Sequence, residues 1–316
     1  MAETLVLGAN GFIGSHLVDA LADAGHKVRA FDRYGSKGPI YNENDNVEQF
    51  VGDYLNKGDL AQALEDIEYV FHFISTTTPI TAENDPVIDI ETNVKTSVEL
   101  FKLCVEKDIQ KVIFASTGGA IYGNGELYAG SFKETDLASP VSPYAIGKLA
   151  IENYLHYFSL KYGLSSVALR ISNPYGERQP MHRKQGVIPI FLENMAHDRP
   201  ITVYGDGSMV RDFVYVKDLA KMVVKVFESD DTKDVYNLGS GQGDSIAEII
   251  DMAQKITGKV PEIETKPVPP TFVQKVILDT TRFNQDFGPV MFTDLESGMR
   301  STYEYIAAQS SEGKQQ

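Results

Sequence analysis

The stretch Gly8-Ala9-Asn10-Gly11-Phe12-Ile13-Gly14 decides the fold of this chain. Residues 4–7 are apolar and typical of a short buried strand, and residues 14–21 have the apolar spacing of a helix. The glycines allow a tight turn that approaches a ligand closely, and the helix offers unpaired N–H groups at its positive end. A strand, a glycine-rich turn and a helix in this order predict a binding site for the pyrophosphate of a dinucleotide.

An acidic residue ends the next predicted strand, residues 26–32. Asp32 lies 32 − 14 = 18 residues past Gly14, close to the ~20 that separate such a turn from an acid that binds the adenosine ribose. Its carboxylate would accept hydrogen bonds from the ribose hydroxyls and repel a 2′-phosphate, so the sequence predicts NAD rather than NADP. The alternative is an acid that only opens a solvated loop.

Strand and helix patterns alternate along the first half of the chain. Residues 69–74 are continuously apolar, which is typical of a strand covered on both faces. Crossover connections between such strands imply parallel pairing. We therefore predict a doubly wound parallel α/β sheet (Rossmann type), with further strands at 47–53, 111–116 and 165–171 and helices at 59–66, 85–107 and 144–162.

The later chain predicts a second, smaller unit. Residues 173–183 are rich in proline, glycine and charge, which indicates an ordered binding loop. Short segments at 201–204 and 210–216 and helices at 218–227, 245–257 and 293–307 follow. We predict an NAD-binding domain at 1–172, to which 212–238 returns, a C-terminal α/β substrate-binding domain at 173–211 and 239–309, and a flexible tail at 310–316.

The composition excludes several classes of protein. With 316 residues, 42% hydrophobic and 23% charged, the chain has the values of a globular protein. The net charge of −15 argues against nucleic acid or an anionic membrane as the main partner. No apolar run is long enough to span a bilayer and no signal peptide opens the chain, so we expect a cytoplasmic protein.

The cysteine and histidine residues predict no metal centre. The single cysteine, Cys104, cannot form an internal disulfide, which fits a reducing compartment, and its apolar neighbours predict a place in the core. His72 lies inside an apolar strand and is expected to be packed. His182 lies in the predicted binding loop, where it is either solvated or in contact with a ligand. No cluster has the spacing of metal ligands.

Tyr144 and Lys148 are the candidate proton-transfer residues. They stand four residues apart near the start of a predicted helix, so both side chains lie on one side of it. A free tyrosine has a pKa of about 10, which a nearby ammonium and a cationic nicotinamide would lower. Such a pair can take the proton of a hydroxyl while a hydride leaves its carbon. An ordinary solvated helix is the alternative.

Hydroxyl groups end the strand before a second glycine-rich turn. Ser116 and Thr117 precede residues 118–123 at the edge of the sheet where a nicotinamide would lie. A hydroxyl there can donate to a reacting oxygen and relay its proton. The alternative is a turn hydroxyl bonded to its own backbone.

Together these residues resemble the extended short-chain dehydrogenase/reductase family, and within it the nucleotide-sugar epimerases, most closely the UDP-glucose 4-epimerase branch. The resemblance covers nearly the whole chain. It implies epimerisation at C4 of a UDP-hexose, UDP-glucose or UDP-galactose, through a transient 4-keto sugar and with recycled NAD. It rests on GANGFIG at 8–14, Asp32, GD at 52–53, FASTGGAIYG at 114–123, SPYAIGK at 142–148, LRISNPYG at 169–176 and VRDFVYVKDLA at 210–220.

The resemblance also implies roles for individual residues. Tyr144 would be the base, directly or through Thr117, and Lys148 would tune it and hold the nicotinamide ribose. The residues implied in cofactor binding are Gly8, Gly11, Phe12, Ile13, Gly14, Asp32, Asp53, Tyr54, Phe73, Ile74, Ser75, Asn93, Ser116, Tyr144, Lys148 and Ile171. Those implied in substrate binding are Thr117, Asn173, Val187, Thr202, Tyr204, Arg211 and Val276.

The chain departs from the family pattern at positions that determine which substrate is bound and which reaction follows. Gly118-Gly119 replace the Asp-Glu of the sugar 4,6-dehydratases and the glutamate of the decarboxylases. A second arginine that binds the diphosphate in the family is missing from 269–272, so either Lys266 or Lys275 replaces it or the substrate is unusual. Val276 is small where a bulky aromatic would exclude N-acetylated sugars, which implies that UDP-N-acetylglucosamine is accepted as well.

Two alternative functions and one partner complete the expectations. A reductase of a nucleotide-linked 4-keto sugar would use the same three residues, and a non-catalytic protein that binds NAD or a nucleotide sugar could share the fold. In the family the helices at 85–107 and 144–162 pair across a two-fold axis, which predicts a homodimer; burial within one chain is the alternative. Their apolar residues include Phe101, Leu149, Ile151, Tyr154, Leu155 and Phe158.

Overall fold

Strands and helices alternate along the chain in a computed structural model that describes residues 1–36, 38–123, 130–180, 186–269 and 271–312. The strands are β1 Glu3–Leu7, β2 Lys27–Asp32, β3 Val47–Val51, β4 Tyr69–His72, β5 Lys111–Thr117, β6 Ser165–Ile171, β7 Asn173–Tyr175, β8 Ile201–Tyr204, β9 Val210–Arg211, β10 Phe213–Tyr215, β11 Val235–Leu238, β12 Asp244–Ser245, β13 Ile263–Lys266 and β14 Lys275–Val276. The helices are α1 Phe12–Asp23, α2 Lys57–Ala63, α3 Pro79–Asn84, α4 Pro86–Asp89, α5 Lys95–Glu106, α6 Pro143–Tyr162, α7 Val187–Ala196, α8 Val216–Phe227, α9 Ile246–Thr257, α10 Thr281–Phe287 and α11 Leu295–Glu312.

One parallel sheet organises the molecule. Its strand order is β11-β6-β5-β4-β1-β2-β3, and every neighbouring pair is parallel. The order reverses between β1 and β4, and ligands of such sheets bind in the crevice at the carboxyl ends of the strands beside this point. The predicted doubly wound α/β sheet is confirmed.

Helices cover both faces of the sheet. On one face Leu17 of α1 and Leu219 of α8 belong to the same apolar core. On the other face Phe101 and Cys104 of α5 pack with Leu155 of α6. Cys104 is fully buried, and burial raises the pKa of its thiol, as expected for the core residue that the sequence predicted.

The later chain has its own apolar core. Ile188 and Phe191 of α7 pack there with Ile249 of α9 and Met299 of α11. Neither α7 nor α10 was among the predicted helices. Between α7 and α9 in the chain, α8 packs on α1 and β11 joins the parallel sheet beside β6. The described residues also form three small sheets, with strand orders β10-β7, β12-β9-β14 and β13-β8.

The region predicted as one helix at 85–107 contains two α-helices, α4 and α5, with a π-helical turn between them. Asp85 Oδ1 accepts the N–H groups of Val87 and Ile88, and Pro86 occupies the first turn of α4. A π-helical turn at Ile90–Val94 then separates α4 from α5. Such turns are rare and frequent at functional sites. The preceding helix, α3, was not predicted.

Two smaller differences concern the later segments. The segment predicted at 210–216 is divided into β9 and β10 by the fully buried Asp212. The last helix, α11, ends at Glu312, beyond the predicted end at residue 307 and within the predicted tail. Among the described residues, no helix combines the length and the apolar character that crossing a bilayer requires.

Candidate active site

The glycine-rich turn has the geometry that an anion site requires. The N–H of Gly11 donates to the Gly8 carbonyl at 3.0 Å, and a Cβ at Gly14 would lie 2.0 Å from that same oxygen. Gly8 has φ +87° and lies so close to the next strand that its Cβ would be 2.9 Å from the Ile74 backbone. The N-cap residue of α1, Gly11, has no side chain, so the first N–H groups of the helix are available to a ligand.

Asp32 lies at the edge of this turn. Its Oδ2 accepts the N–H of Asn10 at 2.9 Å, and its Oδ1 accepts the N–H of Arg33 at 2.7 Å. The carboxylate is thus held beside the turn rather than in a separate solvated loop. Phe73 follows β4 and donates its N–H to the Leu7 carbonyl at 3.1 Å, which places residues 73–75 against the same turn. Together these features fit the pyrophosphate and ribose of NAD.

The start of α6 and the end of β5 hold the predicted reaction residues. Ser142 Oγ accepts the N–H of Ala145 at 3.4 Å, which fixes where the helix begins. Lys148 Nζ donates to the Ala115 carbonyl at 2.8 Å and lies 5.7 Å from the centroid of the Tyr144 ring. Thr117 is the last residue of β5. The structure therefore joins the Tyr–Lys helix to the strand that carries the threonine.

Burial dominates the proton affinities of this pair. Burial, with a smaller contribution from the Asp89 carboxylate, raises the pKa of Tyr144 to about 12. Burial also lowers the pKa of Lys148 to about 8, although Asp89 and Glu152 act in the opposite direction. In the protein's own groups burial raises the pKa of Tyr144 although an ammonium lies nearby, and the lowering by Lys148 together with a cationic nicotinamide stays a prediction.

Three predicted cofactor residues have side chains that bond within the protein. Asn93 Oδ1 accepts the N–H of Thr76 at 2.9 Å, and its amide also donates to Asp89. Ser116 Oγ donates to Glu152. The hydroxyl of Tyr54 is buried with His72 and Ser97. These side chains brace the site, a role that the sequence did not reveal. Asp53 Oδ1 accepts the N–H of Leu55 in the loop after β3.

Of the histidines discussed from the sequence, His72 lies within the described residues. Burial lowers the pKa of His72 to about 3, so this packed side chain is neutral, as the sequence predicted for a core histidine. Within the described ranges, no three His, Cys, Asp or Glu side chains form a group that could hold a metal ion. His182 lies outside the described residues.

A buried ion pair behind α6 was missed by the sequence reasoning. Arg170 Nη2 donates to Glu152 Oε2 at 2.8 Å, and both side chains are only 7% exposed. Glu152 stands one turn after Lys148, on the same face of α6. Arg170 Nη1 also donates to Tyr122, whose hydroxyl donates to Asn237 at 2.7 Å. The spacing of 144, 148 and 152 was the signal that could have identified Glu152.

Among the predicted substrate residues, Asn173 begins β7 and Arg211 ends β9, and the N–H of Asn173 donates to the Asp212 carbonyl next to Arg211. Arg211 Nη1 donates to the carbonyls of Val210 and Gln274, and among the described residues the guanidinium forms no ion pair. Burial lowers its pKa to about 10, so it keeps its charge at neutral pH. Asn173 Nδ2 donates to the Asp212 carbonyl, and its Oδ1 would lie 3.5 Å from a Cβ at Gly119.

Other predicted substrate residues are distributed over the later chain. Thr202 and Tyr204 belong to β8, and the Tyr204 ring lies 5.1 Å from that of Phe272. Val187 is the first residue of α7. Val276 has no exposed surface and packs in a cluster with Ile121, Tyr122, Phe132 and Leu278. The expectation that Val276 borders an open pocket is therefore wrong for this arrangement of the cluster.

Asp212 is a second residue that the sequence reasoning passed over. Its carboxylate accepts hydrogen bonds from Ser240 N, Ser240 Oγ, Gly241 N and Leu278 N. Burial raises its pKa to about 6, against the opposing effect of these donors. It ties the loop after β11 to the segment after β14. The motif at 210–220 contains it, but only the fold shows what it binds.

Comparison with known proteins decides the family. Residues 4–239 match the NAD dependent epimerase/dehydratase family. The chain belongs to this family. Its cofactor is NAD, and the protein is an enzyme of the UDP-sugar epimerase/dehydratase type. The resemblance stated from the motifs is thereby confirmed.

Three relatives illustrate the range of chemistry in this NAD-dependent family. The UDP-glucose 4-epimerase of Thermotoga maritima, solved with UDP-glucose, is 34% identical with a TM-score of 0.90, over 98% of this chain and 99% of that one. The UDP-N-acetylglucosamine 4-epimerase of Methanobrevibacter ruminantium is 31% identical with a TM-score of 0.88, over 98% and 99%. The dTDP-4-dehydro-6-deoxyglucose reductase of Escherichia coli is 30% identical, over 90% and 91%.

Proposed function

We propose that this enzyme inverts the configuration at C4 of a UDP-hexose, interconverting UDP-glucose and UDP-galactose. Thr117, Tyr144 and Lys148 at the carboxyl edge of the sheet support a reaction at a carbinol carbon beside the NAD site. The similarity to a UDP-glucose 4-epimerase along nearly the whole chain supports the substrate class. The three intact side chains argue against a protein that only binds ligands.

The observation that carries the proposal is the lack of space at Gly118. A Cβ there would lie 2.5 Å from Leu278 Cδ1 and 3.0 Å from the Arg170 carbonyl. A carboxylate that could eliminate water therefore has no room directly after Thr117. The family's dehydration chemistry is disfavoured, and oxidation and reduction at the hydroxyl-bearing carbon remain.

The chain's own side chains take simple roles in this proposal. Bound at the glycine-rich turn, NAD supplies the hydride acceptor and donor. Tyr144 accepts the proton of the 4-hydroxyl, directly or through Thr117, and returns a proton to the same oxygen after the 4-keto sugar has presented its other face. Lys148 keeps an ammonium beside the Tyr144 ring. Arg211, which is free of carboxylate partners among the described residues, binds the diphosphate.

A panel of UDP-hexoses tests the proposal. The purified protein should convert UDP-glucose to UDP-galactose, and the reverse, with no NADPH added, and NMR spectroscopy reads the configuration at C4. NAD released on denaturation should match the protein in amount. Protein that holds NAD and leaves every UDP-hexose unchanged would contradict the proposal.

The reductase alternative has one supporting observation, the similarity to the dTDP-4-dehydro-6-deoxyglucose reductase of Escherichia coli. A reductase consumes one reduced nicotinamide per turnover, whereas an epimerase regenerates its own. Stoichiometric loss of NADPH or NADH absorbance with a nucleotide-linked 4-keto sugar would favour the reductase.

We also propose that UDP-N-acetylglucosamine is a substrate. The similarity to a UDP-N-acetylglucosamine 4-epimerase supports this extension. Because Val276 is packed on all sides, the acetyl group would need the cluster around it to move. Turnover of UDP-glucose with none of the N-acetyl sugar in the same NMR assay would contradict it.

We further propose a homodimer formed by the surface of α3, α4 and α6. Four of the residues named from the sequence, Phe101, Ile151, Leu155 and Phe158, are buried in the chain's own core instead. Other apolar side chains on these helices are exposed, namely Ile80, Val87, Ile146, Tyr154, Tyr157 and Leu160. Light scattering at micromolar concentration should give the dimer mass, and a monomer mass would refute the proposal.

A further inference from the structure

A buried carboxylate lies against the helix that carries the proton-transfer pair. Asp89 ends α4 and is 3% exposed. Its Oδ1 accepts a hydrogen bond from Thr77 Oγ1 at 2.5 Å and one from Asn93 Nδ2 at 2.8 Å. Two hydrogen bonds to the same oxygen hold the carboxylate in one orientation. No motif of the sequence singled this residue out.

The other oxygen of Asp89 points at α6 between Tyr144 and Lys148. A Cβ at Gly147 would lie 2.0 Å from Asp89 Oδ2, so the carboxylate touches the helix backbone at that residue. Only glycine at 147 permits this approach. Gly147 directly precedes Lys148 and follows Tyr144 by three residues. The π-helical turn at Ile90–Val94 begins directly after Asp89 and carries Asn93 on the same buried side.

Few other charges reach the pair. On α6 itself Glu152 is balanced by Arg170 of β6, with Nη2 and Oε2 2.8 Å apart. His72 of β4 is buried and neutral. The acids of α3 and of the π-helical turn, Glu83 and Glu91, are exposed. Within the described part of the chain, Asp89 forms no close ion pair with lysine or arginine.

We propose that Asp89 is a positioning residue for the proton transfer, which keeps Tyr144 protonated and Lys148 charged until the ligands bind. A negative charge at Asp89 repels a phenolate at Tyr144 and attracts the ammonium of Lys148. This inference rests on the proposed role of Tyr144 as the base. The directions in which Asp89 shifts the two pKa values, both upward, agree with it.

Neutralising Asp89 should move both the acidic and the alkaline limb of the pH profile of kcat to lower pH. Without the carboxylate the pKa of Tyr144 falls, so the phenolate forms at lower pH and the acidic limb of kcat shifts down. The pKa of Lys148 falls as well, so the alkaline limb shifts in the same direction. We expect Asp89→Asn to shift both limbs by about 1 unit, the lower end of the effect that a nearby charge has on a pKa.

The experiment uses the NAD-loaded protein and two neutral variants. Asp89→Asn keeps the size of the side chain and an acceptor for Thr77, while Asp89→Ser gives the same charge change with different packing. The control Thr77→Val removes one hydrogen bond to Asp89 but keeps its charge, and should leave both limbs in place. A lower kcat with unmoved limbs in folded Asp89→Asn and Asp89→Ser would overturn the inference, as would an upward shift.

A substrate-free measurement separates this inference from the proposed function. The tyrosinate signal of Tyr144 is titrated by ultraviolet absorbance, as the difference between each variant and the same variant with Tyr144→Phe added. A downward shift in Asp89→Asn without any epimerase activity would support the role of Asp89 and count against the proposed function. Normal epimerisation together with an unshifted tyrosinate titration in Asp89→Asn would support the proposed function and count against the role of Asp89.

Discussion

The glycine-rich turn and the start of α6 lie at the same edge of the sheet but are determined by different parts of the chain. In the turn, the decisive contacts join near neighbours, since a Cβ at Gly14 would strike the Gly8 carbonyl. At α6, the decisive effects are burial, the charge of Asp89 from a distant segment, and the charge of Glu152, which pairs with the distant Arg170. The shape of an anion site can thus be encoded locally, whereas the proton affinity of a side chain belongs to the fold.

The largest expected effect tests the α6 side of this comparison. Tyr144→Phe should keep the fold and NAD but lower kcat at least ~10²-fold, the scale for losing a general acid–base. Tyr154→Phe is the matched control, since Tyr154 lies on the same helix and is 42% exposed. Steady-state kinetics with UDP-glucose measure both variants. Near-normal turnover of Tyr144→Phe would remove Tyr144 from the chemistry.

Next in size is a test of the turn. Gly14→Ala puts a methyl group against the Gly8 carbonyl, and overpacking of this kind costs ~1–3 kcal/mol. We expect NAD affinity to fall at least ~10-fold, while the pKa of Tyr144 stays where burial sets it. At Gly35 a Cβ meets no atom within 4 Å, so Gly35→Ala is the control. Equal NAD affinities of the two variants in calorimetry would contradict the conclusion that contacts within the turn determine the shape of the anion site.

Cofactor choice comes third. The Asp32 carboxylate at the turn should make NADP bind about 10-fold more weakly than NAD, because the carboxylate and the 2′-phosphate repel each other. Asp32→Ala should narrow this gap. Asp53→Ala, at the acid after the next strand, should change the affinities for NAD and NADP alike. Equal binding of the two cofactors by the wild-type chain would count against Asp32.

The smallest effect concerns the missing diphosphate arginine. Lys266 pairs with Tyr204 in the register of β13 and β8, whereas Lys275 pairs with Val210 and so lies on the opposite face of its ladder from Arg211. Among the two candidates we therefore favour Lys266. Lys266→Ala should raise KM for the UDP-sugar several-fold, up to about tenfold, and Lys275→Ala should not. The reverse outcome would assign the role to Lys275.

The sequence determined the sheet, the turn and the placement of Tyr144 and Lys148 on one face of a helix. Gly8, Gly14 and Asp32 are constrained by backbone sterics and by a spacing that a strand and a helix fix, so their arrangement follows from the local sequence. The four-residue spacing of Tyr144 and Lys148 likewise places both on one face of α6. These inferences depend on contacts within one turn or one supersecondary unit.

Only the tertiary structure decided what the side chains of the site do. Ser116 and Asn93 bond to Glu152 and Asp89 rather than facing outward, and Val276 lies inside an apolar cluster. The pKa of Tyr144 is raised, not lowered, because packing removes water from its hydroxyl. Desolvation and buried charge depend on which distant segments meet. Local spacing specifies an element and its faces, but it does not specify what those faces are packed against.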